Sequence, residues 1–131
     1  MSQEDTEDQS DRIELEWKNT NVSTESKPLS SYDITEVAQI DNGWLLKFRH
    51  FHGASSLMTV QAIAFIPDRK HQWNPQEVSI KWESVGGRKT PNFNEWTERI
   101  RVHNGWVYKN CLVTKGKSMS ISLVYAPFPN A

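Results

Sequence analysis

Apolar residues in this chain recur at every second position, and that period constrains the fold more than any other feature. Ile13, Leu15 and Trp17 alternate with Glu14, Glu16 and Lys18, and Val78, Ile80 and Trp82 alternate with Ser79, Lys81 and Glu83. Near the end, Met119, Ile121, Leu123 and Tyr125 alternate with serines. Successive side chains of an extended strand point to opposite faces, so this pattern describes strands with one oily and one wet face. A helix is signalled only as one short turn within 93–99. Residues 57–66 are apolar at nearly every position, which predicts a central strand covered on both faces and stopped by Pro67.

Two Asn-Gly pairs, Asn42-Gly43 and Asn104-Gly105, lie between alternating runs. They predict hairpins with the Asn-Gly pair as the two central turn residues, both at positive φ as a type I′ turn requires. The pattern then gives eight strands, at 12–20, 33–40, 44–52, 56–66, 77–84, 97–103, 106–113 and 117–125. The fold class it predicts is all-β, an antiparallel β-sandwich of jelly-roll type. The two hairpin segments also align with each other. Residues 35–48 lie against 97–110 at a spacing of 62, with Thr, Glu, Asn, Gly, Trp and Lys in common. Two readings fit: a duplicated half, or two hairpins that solve one turn problem in the same way.

At 131 residues the chain has the length of one domain, and 37% hydrophobic residues are enough for a core. No apolar run approaches the roughly 18 residues of a membrane-spanning helix. A single cysteine, Cys111, excludes an internal disulfide framework. Charge is unevenly placed. Residues 1–16 hold seven carboxylates against Arg12 alone, while the remainder carries 14 basic and 9 acidic side chains. Residues 1–11 are therefore expected to form a solvated acidic tail ahead of one domain over 12–131. With no basic segment leading into an apolar one at the start, a cytoplasmic location is the expectation.

Candidate binding residues follow from the second hairpin. With Asn104-Gly105 at its tip, His103 opposes Trp106, Arg101 opposes Tyr108 and Arg99 opposes Asn110; in the first hairpin Glu36 would oppose Arg49, and Val37 would oppose Phe48. That places Arg99, Arg101, His103, Trp106 and Tyr108 on one surface, away from a face of Glu98, Ile100, Val102, Val107, Lys109 and Cys111 that is the more apolar near the turn and the expected core side. Two long connections, 67–76 and 85–96, mix basic and aromatic residues and add Trp73, Arg88 and Trp96, either as lids on the core or as contacts. Rings of this kind stack on sugars, bases or protein side chains, and guanidinium groups pair with carboxylate or phosphate.

Catalytic signatures are sparse. His50-Phe51-His52 places two imidazoles on one strand face, a metal-binding spacing similar to the opening of the cupin motif. That motif continues with a carboxylate a few residues on, and Gly53 to Met58 supplies none. Neither a phosphate-binding glycine loop nor a nucleophile elbow is present. The function expected is thus a non-catalytic module that recognises a partner protein, with no cofactor. Carbohydrate or single-stranded nucleic-acid binding through the same rings is one alternative, and a cupin-like metal enzyme using His50 and His52 is another. Self-association is also left open.

Overall fold

The computed structural model describes residues 15–24, 32–52, 57–76, 81–114 and 119–130. They form eight strands: β1 Trp17–Thr24, β2 Tyr32–Ile40, β3 Gly43–His52, β4 Leu57–Pro67, β5 Glu83–Lys89, β6 Phe93–Val102, β7 Gly105–Thr114 and β8 Met119–Pro127. All pairings are antiparallel, in two sheets of order β1-β2-β3-β4 and β5-β6-β7-β8. The described residues contain no helix, hence none long and apolar enough to cross a membrane. The fold is all-β as the alternation predicts, but the jelly-roll order is not what forms. A jelly roll is built from Greek keys, in which a fourth strand returns beside the first. Here each strand pairs with its sequence neighbour, and both sheets are simple meanders. The expected tail, 1–11, lies outside the described residues.

Both hairpins form, with a register displaced from the predicted one. The turns are Asp41-Asn42 and His103-Asn104, so Val37 opposes Leu46, Glu36 opposes Lys47, Arg101 opposes Trp106 and Arg99 opposes Tyr108. Of the four turn residues only Asn104 takes the left-handed backbone, at φ 57°. The glycines instead begin β3 and β7, where they let a third strand approach. A Cβ on Gly43 would fall 2.1 Å from the Ile66 carbonyl oxygen, and one on Gly105 would fall 2.5 Å from that of Ala126. The glycines of the two pairs are therefore required by close packing of strands rather than by turn dihedrals. Because each slip moves both partners by one residue, the predicted faces survive.

Other departures have equally local causes. β4 is an edge strand, not a central one: Ala64 and Ile66 are buried, while Ile63 and Phe65 are 47% and 44% exposed. Its continuous apolar run misled because the uncovered face is apolar too. β5 starts at Glu83, later than predicted, and of the predicted 77–84 strand residues 77–80 lie outside the described set. Residues 85–96 are not a loop but the facing ends of β5 and β6. Thr90 closes their turn, its Oγ accepting from the amides of Asn92 and Phe93 and its own amide donating to the Phe93 carbonyl.

The two sheets repeat one plan. Tyr32–Ile40 and Gly43–His52 recur as Asn94–Val102 and Gly105–Thr114, residue for residue in register. β1 and β5 match as well, down to a bulge at the same place: Asn19 opposes Glu36 and Asn21 opposes Thr35, just as Ser84 opposes Glu98 and Gly86 opposes Thr97. On this map Trp17 corresponds to Trp82, Trp44 to Trp106, and the pair Glu36–Lys47 to Glu98–Lys109. The last strands match too, since Gly43 meets Pro67 as Gly105 meets Pro127. The duplicated-half reading thus describes the structure.

The core draws on both sheets. Val37, Leu46, Ala64 and Ile66 of the first pack with Ile100, Val102 and Val107 of the second, joined by Trp44, Trp73, Trp82, Leu123 and Tyr125. Lys109 is buried among them, 2.9 Å from Glu98, with its ammonium 3.5 Å from the Phe48 ring centre and 4.2 Å from that of Trp82. A cation so placed keeps one charge-assisted bond and two ring faces in place of water.

Candidate interaction surface and the Asp68 clip

The face of β6–β8 turned away from the core carries Arg99, Arg101, Trp106 and Tyr108, as the alternation predicts. Arg99 and Trp106 are diagonal neighbours on that face, and the guanidinium lies 3.8 Å from the indole centre while its Nε donates to Glu83 at 2.7 Å. Arg101, directly across from Trp106, lies 5.3 Å from the ring of Phe128. Trp106 and Phe128 meet edge to face at 6.3 Å, and Val124 beside Tyr108 is 61% exposed. The Arg99 hydrogen bond to Glu83, with a second donated to the Tyr108 oxygen, raises the Arg99 pKa above its ordinary value. These contacts hold long side chains in place on the sheet face, which lowers the entropy lost when something binds.

His103 is not part of this patch. Arg101 rather than His103 opposes Trp106, and the His103 ring turns toward Asp68, with Nε2 3.4 Å from Oδ1. Asp68 follows Pro67 at the end of β4 and is 5% exposed. Burial pushes its pKa up, yet the Trp44 indole N–H, the amides of Trp73 and Gln72, and His103 more than offset that and hold it below 3.8. The Trp44 and Trp73 bonds are both 2.9 Å and reach the same oxygen, Oδ2; the Gln72 amide reaches Oδ1 at 3.0 Å. His71, at φ 52°, completes the knot with its Nε2 2.7 Å from the Ile40 carbonyl oxygen. The tips of the two sheets are thus clipped together by one carboxylate. Trp73 is a lid, edge-on to Trp44 at 5.6 Å and packed against the core. Arg69, Lys70, Gln72 and His103 line an open groove of about 580 Å³ beside the clip.

Arg88 and Trp96 sit at the far end of the second sheet, on strands rather than in a loop. Arg88 pairs with Glu95 at 2.9 Å and is 72% exposed. Trp96 opposes Cys111 and shares the core-side face of β6 with Glu98 and Ile100, so it does not join Trp106. The eight predicted binding residues therefore separate into a sheet face, a clip and a strand end.

The His50 imidazole lies 2.7 Å from an Asp33 carboxylate oxygen, and the side chain of His52 lies outside the described residues. Among the described residues no three His, Cys, Asp or Glu groups converge as metal ligands would. Cys111 is buried: desolvation, offset in part by Lys109 and reinforced by Glu98 and Asp33, pushes its thiol up to about 11. A thiol so protonated is a poor nucleophile.

Lys109 falls on the core side, as the hairpin alternation predicts, whereas the pattern singles out neither Asp68 nor Phe128. Asp68 had one usable signal, an acid directly after a strand-ending proline with two tryptophans nearby in the chain. Comparison of the chain with protein-family models, with curated proteins and with solved structures finds no match in any of the three.

Proposed function

We propose that the eight strands form a β-sandwich acting as a non-catalytic interaction module, with the outer face of β6–β8 as its partner-binding surface. The observation that carries this reading is the ordered ladder of Arg99 on Trp106 and Arg101 on Phe128, bordered by Tyr108 and exposed Val124. Trp, Tyr and Arg dominate the energetics of protein interfaces, chiefly where they are held in place before binding. A protein partner is favoured over a sugar or a base because one face of the Trp106 ring is already covered by Arg99. A polyanion is disfavoured because Arg88 and Arg99 already bond carboxylates at 2.9 and 2.7 Å.

Panning a protein library against the immobilised wild-type chain, with recovered partners then measured against Trp106→Ala, tests the reading. Recovered partners should bind Trp106→Ala and Arg101→Ala at least tenfold more weakly, a loss of about 1.4 kcal/mol each. Arg69→Ala, in the groove by the clip, should leave affinity unchanged. Partners indifferent to Trp106, or affinity that collapses with added salt as phosphate binding does, would overturn it.

A further inference from the structure

The two sheets are equivalent, yet they do not meet through equivalent faces. The first sheet buries the face of Val37, Leu46 and Phe48, whose counterparts on the second sheet are Arg99, Tyr108 and Asn110, on its outer side. The second sheet buries the face of Ile100, Val107 and Lys109, whose counterparts on the first are Ala38, Leu45 and Lys47, on its outer side. The sheets are therefore stacked in the same sense, front to back. Such an interface is heterologous and leaves one unmatched face of each kind at the two ends of the stack.

The unmatched face of the first sheet has the composition of an interior. Trp17, Ala38, Ile40, Leu45, Ile63 and Phe65 stand where the second sheet buries Trp82, Ile100, Val102, Val107, Leu123 and Tyr125. Even the polar members repeat: Lys47 lies over Trp17 at 3.9 Å and beside Glu36, as Lys109 lies over Trp82 and beside Glu98. Ile63 and Phe65 are nonetheless 47% and 44% exposed, and Leu15, which shares a groove with Phe65, is 37% exposed. Arg49 lies 2.7 Å from Glu36 through one terminal nitrogen, while its Nε is buried with no acceptor among the described residues. A side chain desolvated in this way lacks a partner that an interface would supply.

We infer that the outer face of β1–β4 in one chain receives the outer face of β5–β8 of a second copy, continuing the stack that the two sheets make within the chain. The inference rests on the proposed binding role of the β6–β8 face and names its partner. The occupant is specified by equivalence: the face that covers Ile100, Val107 and Lys109 inside the chain is that of Val37, Leu46 and Phe48, and the exposed surface equivalent to it is that of Arg99, Tyr108 and Asn110. Charge agrees. Asp33 of the first sheet acts on Cys111 across the core. Their counterparts are Glu95, which also holds Arg88, and Arg49, so the same stacking between copies brings that carboxylate toward the arginine whose Nε has no acceptor among the described residues. Shape agrees too. The closest backbone approach between the sheets is along β4 and β8, while Phe48, Trp82 and Lys109 hold the sheets apart farther in. Each step of the stack is thus a wedge, and repeated wedges close a ring. Rings of four-stranded sheets close with about four to eight sheets, which is about two to four copies of this chain.

The test uses Ile63→Glu on one face and Val124→Glu on the other, both exposed positions whose substitution leaves the core intact. Mass is followed by light scattering from about 1 to 100 μM. The wild-type chain should gather into one closed species of two to four copies, each variant alone should stay monomeric, and an equimolar mixture should form 1:1 dimers. A variant that still dimerises alone would mean a symmetric face-to-face contact and would overturn the inference. A monomeric wild-type chain would also overturn it, while Trp106-dependent capture of another protein would leave the proposed function standing.

Discussion

At the scale of single residues, Asp68 is the side chain on which most depends. Its two oxygens accept from an indole and two backbone amides, and the His103 imidazole of the other half of the chain lies 3.4 Å from one of them. Removing the charge leaves buried donors without a full acceptor, which costs about 1–3 kcal/mol per group left unsatisfied. Asp68→Asn should therefore unfold about 2 kcal/mol more easily than wild type at pH 7 in urea. The carboxyl titrates below its ordinary 3.8 in the folded chain, so its stabilisation is present above that value and lost as pH falls through the lower, folded one. The gap between wild type and Asp68→Asn should accordingly shrink below about pH 4; a gap that ignores pH would show that the charge plays no part. Beyond the acid directly after Pro67, little of this was legible in the sequence, because the groups of residues 44, 72, 73 and 103 converge on it only after both sheets have formed.

At the scale of elements, the period-two pattern was enough to find the strands and their faces. Registers were not legible to the residue, because Asn-Gly reads as a turn whether it occupies both central positions or only ends there. The paired sheets permit a comparison of one element in two settings. Lys109 is buried at 2% exposure and its carboxylate partner is Glu98, whereas Glu36 keeps Arg49 when Lys47 is removed. Deleting one member of a buried pair costs about 3–5 kcal/mol because the other charge is left unpaired, and less where the remaining carboxylate still holds a second cation, as Glu36 holds Arg49. Lys109→Ala should lower unfolding stability by about 3 kcal/mol and Lys47→Ala by under about 1, as read by chemical denaturation. Equal costs would place Lys109 at the surface.

At the scale of the whole molecule, the repeat was visible only in the hairpins. β1 and β5 share a bulge and a register but, beyond the Trp17–Trp82 correspondence, almost no side chains. β4 and β8 share their terminal proline and the pairing that precedes it. Pairing geometry belongs to the backbone, so a residue-by-residue comparison does not register it. The same sense of stacking explains why a strand as apolar as β4 can lie at an edge with Ile63 and Phe65 exposed, since it carries the residues of an interior on a face that the described residues do not close. Fluorine NMR of the chain labelled with 5-fluorotryptophan addresses this most directly. On raising the concentration, the Trp106 and Trp17 signals should shift together, while those of Trp44, Trp73 and Trp82 stay fixed. A response confined to Trp73 or Trp96, or no response at any indole, would contradict the account.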